Sequence, residues 1–322
     1  MLVAYERRSA EIALMDILDD ILDTLNLKGV LYFRADFSDR WAVTVPDLEQ
    51  AARFHLVVQG TTHVQFADGG AVTLGPGDLV LIPRGRSHIL ADQACKSAPA
   101  LESVLADANY DGRGVLVVGE GDKDASTQLV CGHLVFRPGA DHPLLRALPD
   151  YLVTTASTRA REPWLDEMLR VLVRRAFSGE IGSAASVTRL SEIVFIELLR
   201  VGVEQSPQLA SVLEAFRDKQ IGKALQVIHA TPAETWTVDR LASEVGMSRS
   251  RFAERFSLLM GTGPMAYLSD WRLQKALSLL EESQCSVQEV ASRSGYQSSA
   301  AFSRAFSGKF GVAPSAYRRA RA

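Results

Sequence analysis

A short helical unit occurs twice in the last hundred residues, and this duplication restricts the fold more than any other feature of the sequence. One copy, "GMSRSRFAERFSLLMGTGPMAYLSD", begins at Gly246, and the other, "GYQSSAAFSRAFSGKFGVAPSAYRR", begins at Gly295. Both contain a glycine, a short polar turn, two phenylalanines four residues apart and Gly-x-x-Pro-x-Ala-Tyr. Two copies about fifty residues apart predict one duplicated unit rather than a solenoid array.

Each copy has the pattern of a helix, a tight turn and a second helix. Thr237 and Ser286 precede the first helices and are residue types that cap a helix N-terminus. Gly246 and Gly295 follow these helices, at the position where a left-handed backbone conformation ends a helix. A helix, a glycine-containing turn and a further helix indicate a helix-turn-helix.

The two predicted helix-turn-helix units span about residues 237–260 and 286–310. In the second helix of each unit, phenylalanines at a spacing of four form the predicted buried face. The opposite face is small, polar and basic, which suits a helix that enters a DNA major groove, although a solvated helix face has similar residues. The candidate DNA-binding residues are Arg249, Ser250, Arg251, Ala253 and Glu254 in the first unit and Ser299, Ala300, Ser303 and Arg304 in the second.

Charge is distributed unevenly along the chain. Residues 217–322 contain 15 lysines and arginines against 9 aspartates and glutamates, whereas the whole chain has a net charge of −3. A basic end on an acidic body is expected when one domain binds a polyanion. The segment "MAYLSDWRLQKALSLLEES" between the two units predicts one helix of about 27 Å, which can place two recognition helices in successive major grooves about 34 Å apart.

The C-terminal hundred residues resemble the AraC/XylS family of transcription regulators. The resemblance depends on "RLASEVGMSRSRFAERF", "WRLQKALSLL" and "VQEVASRSGYQSSAAFSRAFSGKFGVAPSAYR". It implies binding to double-stranded promoter or operator DNA, contact with RNA polymerase, and base recognition by the candidate residues of both recognition helices. Glu254 is unfavourable near phosphates unless it accepts a hydrogen bond from cytosine N4 or pairs with Arg251 or Arg255.

The rest of the chain divides into a strand-rich part and a helical part. From Gly29 to about Phe136, short β-branched and aromatic runs alternate with Gly, Pro and Asp, which predicts a barrel or sandwich. From Pro143 to about Val203 the spacing is helical. The predicted fold is therefore an α+β multidomain protein with a cupin-like β-barrel in residues 1–140, a helical linker and dimerisation segment in 141–216, and an all-α DNA-binding domain in 217–322.

The strand-rich part contains "GDLVLIPRGRSH", which resembles the second motif of cupin barrels and includes His88. The first cupin motif is degraded: "RFHLVVQG" retains His55 but has Arg53 and Gln59 at the positions of two other ligands. The candidate ligand-binding or divalent-metal residues are His55, Gln59, His88 and Cys131, and His63 and His133 are unplaced candidates. A zinc or iron site needs three or four such ligands, so the alternative is a set of histidines that pack or hydrogen-bond inside the barrel.

Three cysteines far apart in the sequence indicate no disulfide framework and favour a reducing cytoplasm. Cys95 lies beside Lys96 in a predicted surface loop and is a candidate redox residue; an inert thiol is the alternative. No apolar run is long enough to span a membrane, so we expect no membrane association.

Two classes of function compete for this sequence. The first is a ligand- or stress-responsive transcription regulator, acting as an activator and a homodimer, with a small-molecule effector bound by the N-terminal half. The second is a metal-dependent cupin enzyme with a helical appendage. The degraded ligand set disfavours the enzyme, because catalysis at a metal needs a complete set of protein ligands and an open position.

Overall fold

The computed structural model describes residues 17–282 and 284–320, which form two compact units. The β unit comprises residues 27–136 and 148–206. The helical unit comprises the described residues up to Asn26, residues 137–147, and those from Pro207 onward. No helix of the described residues is both long and apolar enough to cross a bilayer.

The β unit contains ten strands and four helices. The strands are β1 (Lys28–Phe37), β2 (Ala42–Val45), β3 (Ala51–Gln59), β4 (Thr62–Phe66), β5 (Ala71–Leu74), β6 (Leu79–Ile82), β7 (His88–Ala91), β8 (Val115–Val118), β9 (Thr127–Val135) and β10 (Leu152–Thr154). Its helices are α2 (Leu101–Asp107), α4 (Ala156–Arg161), α5 (Pro163–Phe177) and α6 (Ser183–Val201).

The strands form two sheets. The larger has the order β10-β6-β3-β9-β1-β8, antiparallel throughout except for the parallel pair β1 and β8, and the smaller has the order β2-β7-β4-β5. In the described chain these sheets are separate rather than one closed barrel, so the cupin-like part is an open two-sheet structure. The sheets face each other through an apolar core that includes Phe33, Val43, Val64 and Leu129.

Alternation along β3 assigns its side chains to opposite faces of the larger sheet. His55 and Val57 face the core between the sheets, whereas Phe54 and Leu56 lie on the other face because successive strand residues point in opposite directions. Helices α5 and α6 cover this outer face, where Phe54 shares a narrow space with Leu172 of α5. The layers are therefore sheet, sheet and helices.

The helical unit contains ten helices in the described residues. They are α1 (Ile17–Leu25), α3 (Pro143–Arg146), α7 (Pro207–Arg217), α8 (Ile221–Ala230), α9 (Val238–Glu244), α10 (Arg249–Met260), α11 (Pro264–Glu282), α12 (Val287–Arg293), α13 (Ser299–Phe310) and α14 (Pro314–Arg319).

The duplicated sequence forms the two predicted helix-turn-helix units, α9–α10 and α12–α13. The Thr237 hydroxyl accepts a hydrogen bond from the Arg240 amide at 3.1 Å, and Ser286 forms a reciprocal capping box with Glu289. Gly246 has a φ of 66° and Gly295 a φ of 77°, the left-handed conformation that allows the chain to turn between helices. The N-cap of α13 is Ser298, whose hydroxyl accepts a hydrogen bond from the Ala301 amide.

The helical unit extends beyond the predicted DNA-binding range of 217–322. It includes α1, α7 and residues 137–147, which we call the strap. The chain therefore passes between the two units four times, after Asn26, Phe136, Ala147 and Ser206. The assignment of domains to residues 1–140, 141–216 and 217–322 stays a prediction.

Several local features of the β unit were not expected from the sequence. Strands β2, β7 and β10, of three or four residues each, were too short to show a periodic pattern. Helix α2 lies inside the predicted surface loop at residues 92–114. Trp164 of α5 is 60% exposed, whereas Leu165, Leu169, Leu172 and Ala176 are buried.

Candidate nucleic-acid interface

Helix α10 is held by an aromatic face and by one ion pair. Phe252 and Phe256 are fully buried, and Phe256 packs edge-to-face on Tyr267 of α11 with ring centroids 5.6 Å apart. Arg255 pairs with Asp218, a buried carboxylate that also accepts the backbone amide of Ile221 at 2.8 Å. These hydrogen bonds hold the pKa of Asp218 below its ordinary value despite burial, so the carboxylate stays charged for Arg255.

Helix α13 is held by the same aromatic spacing but without an equivalent of the Arg255 ion pair, because Ala305 occupies that position. Phe302 and Phe306 are fully buried, and Phe306 packs against Tyr317 of α14 at a centroid distance of 5.8 Å. Tyr296 packs edge-to-face on Phe302. The repeated aromatic spacing therefore has the same structural role in both copies: it buries one face of the second helix and leaves the opposite face exposed.

The structure places the candidate DNA-binding residues on the outward faces of α10 and α13. The exposed residues are Arg249, Ser250, Arg251, Glu254, Ala300 and Arg304, and the half-buried residues are Ala253, Ser299 and Ser303. Small or exposed side chains at these positions allow close approach to a groove, and arginine can contact guanine or a phosphate. Equivalent positions differ in chemistry, since Glu254 in α10 corresponds to Arg304 in α13.

Some of the charged side chains near these faces already form ion pairs within the protein. Arg249 lies 3.3 Å from Asp239 of α9, and both side chains are about two-thirds exposed. A pair so exposed contributes about 0–1 kcal/mol and can exchange for a phosphate contact. Lys309, at the end of α13, contacts Asp141 at 2.7 Å and Asp270 at 2.9 Å.

The strap contacts several parts of the helix-turn-helix region. Arg137, almost completely buried, pairs with Glu281 at 2.5 Å and Glu282 at 2.6 Å, at the end of α11. The Gln274 amide donates to the Gly139 carbonyl at 3.0 Å, and the Tyr317 hydroxyl donates to the Pro138 carbonyl at 3.2 Å. The strap therefore links the long helix α11 to α14.

A buried polar chain continues from the strap into α1. The Tyr267 hydroxyl lies 3.0 Å from His142 Nε2 and 2.7 Å from His229 Nε2, and His229 Nδ1 lies 2.8 Å from Asp20 Oδ2. The Leu144 amide donates to His142 Nδ1, so the His142 proton is on Nε2 and is donated to Tyr267. Tyr267 then donates to His229, and His229 Nδ1 donates to Asp20, which also accepts from Lys275 at 2.5 Å.

Burial controls the protonation of this chain. Desolvation lowers the pKa of His142 well below its ordinary value and also lowers the pKa of His229, although Asp20 opposes the second shift. Burial would raise the pKa of Asp20, but hydrogen bonds from His229 and Lys275 lower it overall. Both imidazoles are therefore neutral and Asp20 is ionised, as the hydrogen-bond directions require.

Three of the four candidate metal or ligand residues meet in the core of the β unit. His55 Nδ1 lies 3.0 Å from Cys131 Sγ and its Nε2 lies 2.8 Å from His88 Nε2. His88 Nδ1 donates to the Arg86 carbonyl at 2.7 Å. Desolvation lowers the pKa of His88 to about 4 and that of His55 well below its ordinary value, so both imidazoles are neutral.

This arrangement does not fit a metal ligand set. The two ring nitrogens of His55 face opposite partners, and the His88 nitrogen nearest to it is a hydrogen-bond acceptor rather than a second ligand on a common centre. Gln59 lies apart, with its amide donating to the carbonyls of Asp124 and Ser126. No cluster of three or more His, Cys, Asp or Glu suited to a metal occurs in residues 17–282 and 284–320.

The other candidates of the β unit lie elsewhere. Cys95 is half-buried in the loop before α2, and its backbone amide donates to Gln65 at 3.0 Å. His63 hydrogen-bonds the Thr73 hydroxyl at 2.9 Å. Burial lowers the pKa of His133, which lies opposite Arg53 in the β3–β9 ladder. The redox role of Cys95 stays a prediction.

Two helix-turn-helix units joined by a long helix, in one chain with a cupin-like β unit, define a DNA-binding regulator rather than an enzyme. Residues 16–204 match the cupin family model, and residues 241–320 match a helix-turn-helix domain model. Curated relatives align with this chain over nearly their whole length. The chain is 31% identical to the HTH-type transcriptional regulator AlkR of Acinetobacter baylyi, over 95% of this chain and 99% of that protein.

A second relative is similar over nearly the whole chain, and one solved structure is similar to its C-terminal part. The chain is 30% identical to a putative AraC-like transcription regulator of Streptomyces lividans, over 95% of this chain and 98% of that protein. The DNA-binding domain of AdpA, solved in complex with a target DNA, matches 32% of this chain and 92% of its own at 36% identity and a TM-score of 0.31. The chain belongs to the AraC/XylS family of transcription regulators.

Sequence reasoning missed the residues that complete the helical unit from outside its C-terminal range. Asp20 and His142 lie more than one hundred residues from their partners His229 and Tyr267. Asp20 is one of three aspartates in α1, and His142 directly follows Asp141 in the strap, so no local feature distinguishes either residue or indicates its partner. The spacing of apolar residues within a helix predicts which face is buried. It does not predict which other segment of the chain covers that face.

Proposed function

We propose that this regulator binds an asymmetric operator, with α10 and α13 of one protomer in two successive major grooves. The observation that carries the proposal is the chemical difference between two outward faces that are otherwise equivalent. Ala253 and Glu254 occupy one face where Ser303 and Arg304 occupy the other. A glutamate accepts from cytosine N4 and an arginine donates to guanine, so the two halves of the site should differ in sequence.

Genome-wide mapping of bound DNA, followed by footprinting of the best site, tests this proposal. We expect two protected elements of different sequence with centres about one helical turn, or 10 base pairs, apart on one DNA face. Equal affinity for operator and unrelated DNA at physiological salt would contradict sequence-specific binding. Two identical half-sites for one protomer would contradict the asymmetry.

Exchanging base-contacting residues between the two recognition helices tests the same proposal more directly. The double variant Ala253→Ser with Glu254→Arg gives α10 the two residues of the equivalent positions in α13. Base preference should change only in the half-site contacted by α10, and the other half serves as the internal control. A change in both halves, or in neither, would remove these positions from the base-reading face.

We further propose that the β unit binds a small-molecule effector, that the regulator acts as a homodimer, and that it activates transcription through RNA polymerase in the cytoplasm.

Exposed apolar side chains on α5 and α6 support dimerisation through residues 160–203: Trp164 is 60% exposed and Ile193 is 40% exposed. Sedimentation at micromolar concentration should give a dimer that Ile193→Glu weakens. A monomer would contradict this assignment, and transcription in vitro with purified polymerase tests activation.

A further inference from the structure

A cleft lies on the outer face of the larger sheet of the β unit, at the edge of the helix layer. Its volume is about 470 Å³, within the range of about 300–1,000 Å³ that small-molecule sites occupy. Leu56 and Val58 of β3 and Leu169 and Val173 of α5 form its apolar wall. The cleft is therefore separate from the core between the sheets, where His55, His88 and Cys131 hydrogen-bond to one another.

Arg159 of α4 lines this cleft and has one unsatisfied donor. Its Nη1 donates to Asp166 at 3.0 Å and its Nη2 to the Pro76 carbonyl at 3.3 Å. Its Nε is shielded from solvent and has no hydrogen-bond partner within the described residues. Leaving a buried donor of a charged group without a partner is unfavourable, so an acceptor placed in the cleft would be favoured.

The turn before β6 is shaped around this guanidinium. Gly77 has a φ of 81° and also lines the cleft. A Cβ atom at Gly77 would lie 2.6–2.7 Å from three atoms of the Arg159 guanidinium. Glycine at this position therefore allows Arg159 to lie against the turn, and any side chain there would displace it.

The arginines of the cleft share their acidic partners. Asp166 accepts from Arg159 on one oxygen and from Arg170 on the other, at 2.8 Å, so one carboxylate serves two arginines. Arg174 pairs with Glu167 at 3.4 Å. Asp78, outside the lining, lies 3.8 Å from Arg159 through Oδ1 and accepts from the Gly75 amide through Oδ2. The acids therefore balance the arginines, and the donor that remains for a ligand is the Nε of Arg159.

We propose that this cleft binds a small carboxylate with an apolar body, which is the effector class of this regulator. The carboxylate accepts hydrogen bonds from Arg159 and Arg170, and the apolar body packs on Leu56, Leu169 and Val173. The regulatory meaning of this site rests on the proposed function, whereas binding itself does not. A carboxylate is a stronger acceptor for a guanidinium N–H than a neutral oxygen, so a neutral molecule of the same shape should bind more weakly.

Calorimetric titration of the full chain with octanoate, decanoate and dodecanoate tests the site, with decan-1-ol as the neutral probe. Arg159→Gln should weaken decanoate binding by about tenfold or more, because a hydrogen bond to a charged group is lost. The matched control is Arg161→Gln, two residues away on the same helix, whose side chain is exposed and pairs with Glu204 at 2.9 Å; it should bind as the parent chain does.

Val173→Glu provides a second variant that retains Arg159. It places an acid on the half-buried cleft wall, so it should weaken decanoate binding more than decan-1-ol binding, because both lose the apolar contact of Val173 but only the carboxylate is repelled. Circular dichroism of each variant identifies loss of fold. The proposal is overturned if none of the three carboxylates binds, if the alcohol binds as tightly as decanoate, or if folded Arg159→Gln and Val173→Glu both bind decanoate as the parent chain does.

Operator binding measured on the same preparations separates this inference from the proposed function. Carboxylate binding without specific DNA binding would refute the operator proposal and leave the cleft assigned. Specific DNA binding by a chain that binds none of the carboxylates would refute the cleft and leave the operator proposal intact. A carboxylate-dependent change in operator affinity that is absent in Arg159→Gln would support both.

Discussion

Tyr267 lies between two neutral imidazoles, and its hydroxyl is hydrogen-bonded to both. His142 donates to it at 3.0 Å and His229 accepts from it at 2.7 Å. Because the Leu144 amide fixes the His142 tautomer and Asp20 fixes that of His229, the proton positions along this chain have one consistent solution. A network satisfied in this way specifies one arrangement of the strap, α8 and α1.

Tyr267→Phe should lower the free energy of unfolding by about 1–3 kcal/mol, since it leaves a buried donor on His142 and a buried acceptor on His229 without partners. Urea titration followed by tryptophan fluorescence measures the change. Tyr151→Phe is the matched control, because Tyr151 stacks on Phe66 and its ring contact is retained. Equal stability of the Tyr267 variant and the parent chain would show that the hydroxyl does not hold this network.

Arg304 provides a residue-scale prediction for recognition. If it contacts a base, Arg304→Ala should weaken specific binding by about 1–3 kcal/mol and relax the preference at one position of the operator. A uniform loss on all sequences, with a shallower dependence on salt, would instead assign Arg304 to a phosphate. Glu254→Ala is the paired control, since it lies at the equivalent position of α10 and should affect only the other half-site.

At the scale of elements, the two helix-turn-helix copies share their backbone but differ in their surroundings. The turn glycines Gly246 and Gly295 have nearly the same φ. A Cβ atom on Gly246 would meet nothing within 4 Å, whereas one on Gly295 would lie 2.8 Å from the Ala233 Cα and 2.9 Å from Arg272 Nε. The second turn therefore packs on the loop that follows α8, and the first turn faces open space.

Alanine substitution at the two glycines should separate these effects. Gly246→Ala should destabilise the chain by about 1–2 kcal/mol, the cost of a left-handed conformation for a residue with a Cβ. Gly295→Ala should cost more, because the added atom also collides with backbone atoms of Ala233. The two unfolding free energies are measured under identical conditions, and equal losses would contradict the predicted packing of the second turn.

At the scale of the whole molecule, both units contain buried imidazoles whose pKa values are lowered by desolvation. They are His55 and His88 in the β unit and His142 and His229 in the helical unit. The folded protein keeps these groups neutral where an unfolded chain would protonate them. Acid should therefore destabilise both units.

The direction of this stability change and the pH range in which it occurs follow from His88, whose pKa is lowered from 6.5 to about 4. As pH falls from 6.5 toward 4, the unfolded chain takes up a proton that the folded chain does not, so the free energy of unfolding decreases. In His88→Gln this decrease should be shallower, as measured by urea titrations across the interval. His63→Gln, which changes an imidazole on β4 outside the core, is the control. An unchanged slope in His88→Gln would contradict the assignment.

Periodic spacing in the sequence predicted most of the helices and strands, whereas isolated polar residues predicted none of their own contacts. The spacing of Phe252 and Phe256, and of Phe302 and Phe306, predicted the buried faces of α10 and α13 correctly. By contrast, β7 and β10 are held by neighbouring strands rather than by their own pattern. Trp164 is a further example, because the helical period places it next to Leu165. Leu165 is buried, whereas Trp164 is exposed in the described chain, and the period does not distinguish the two.

The duplicated helix-turn-helix units, the long helix between them and the aromatic spacing that turns one face of each unit outward all follow from local sequence. These features are local, because helix periods, caps and turn glycines act within a few residues. Three arrangements, by contrast, depend on the folded chain: Asp20 and the strap complete the helical unit, His55, His88 and Cys131 hydrogen-bond to one another, and Arg159 lies over Gly77 beside an apolar cleft. Such contacts join residues far apart in the chain, and their stability depends on burial and desolvation, which no short stretch of sequence specifies.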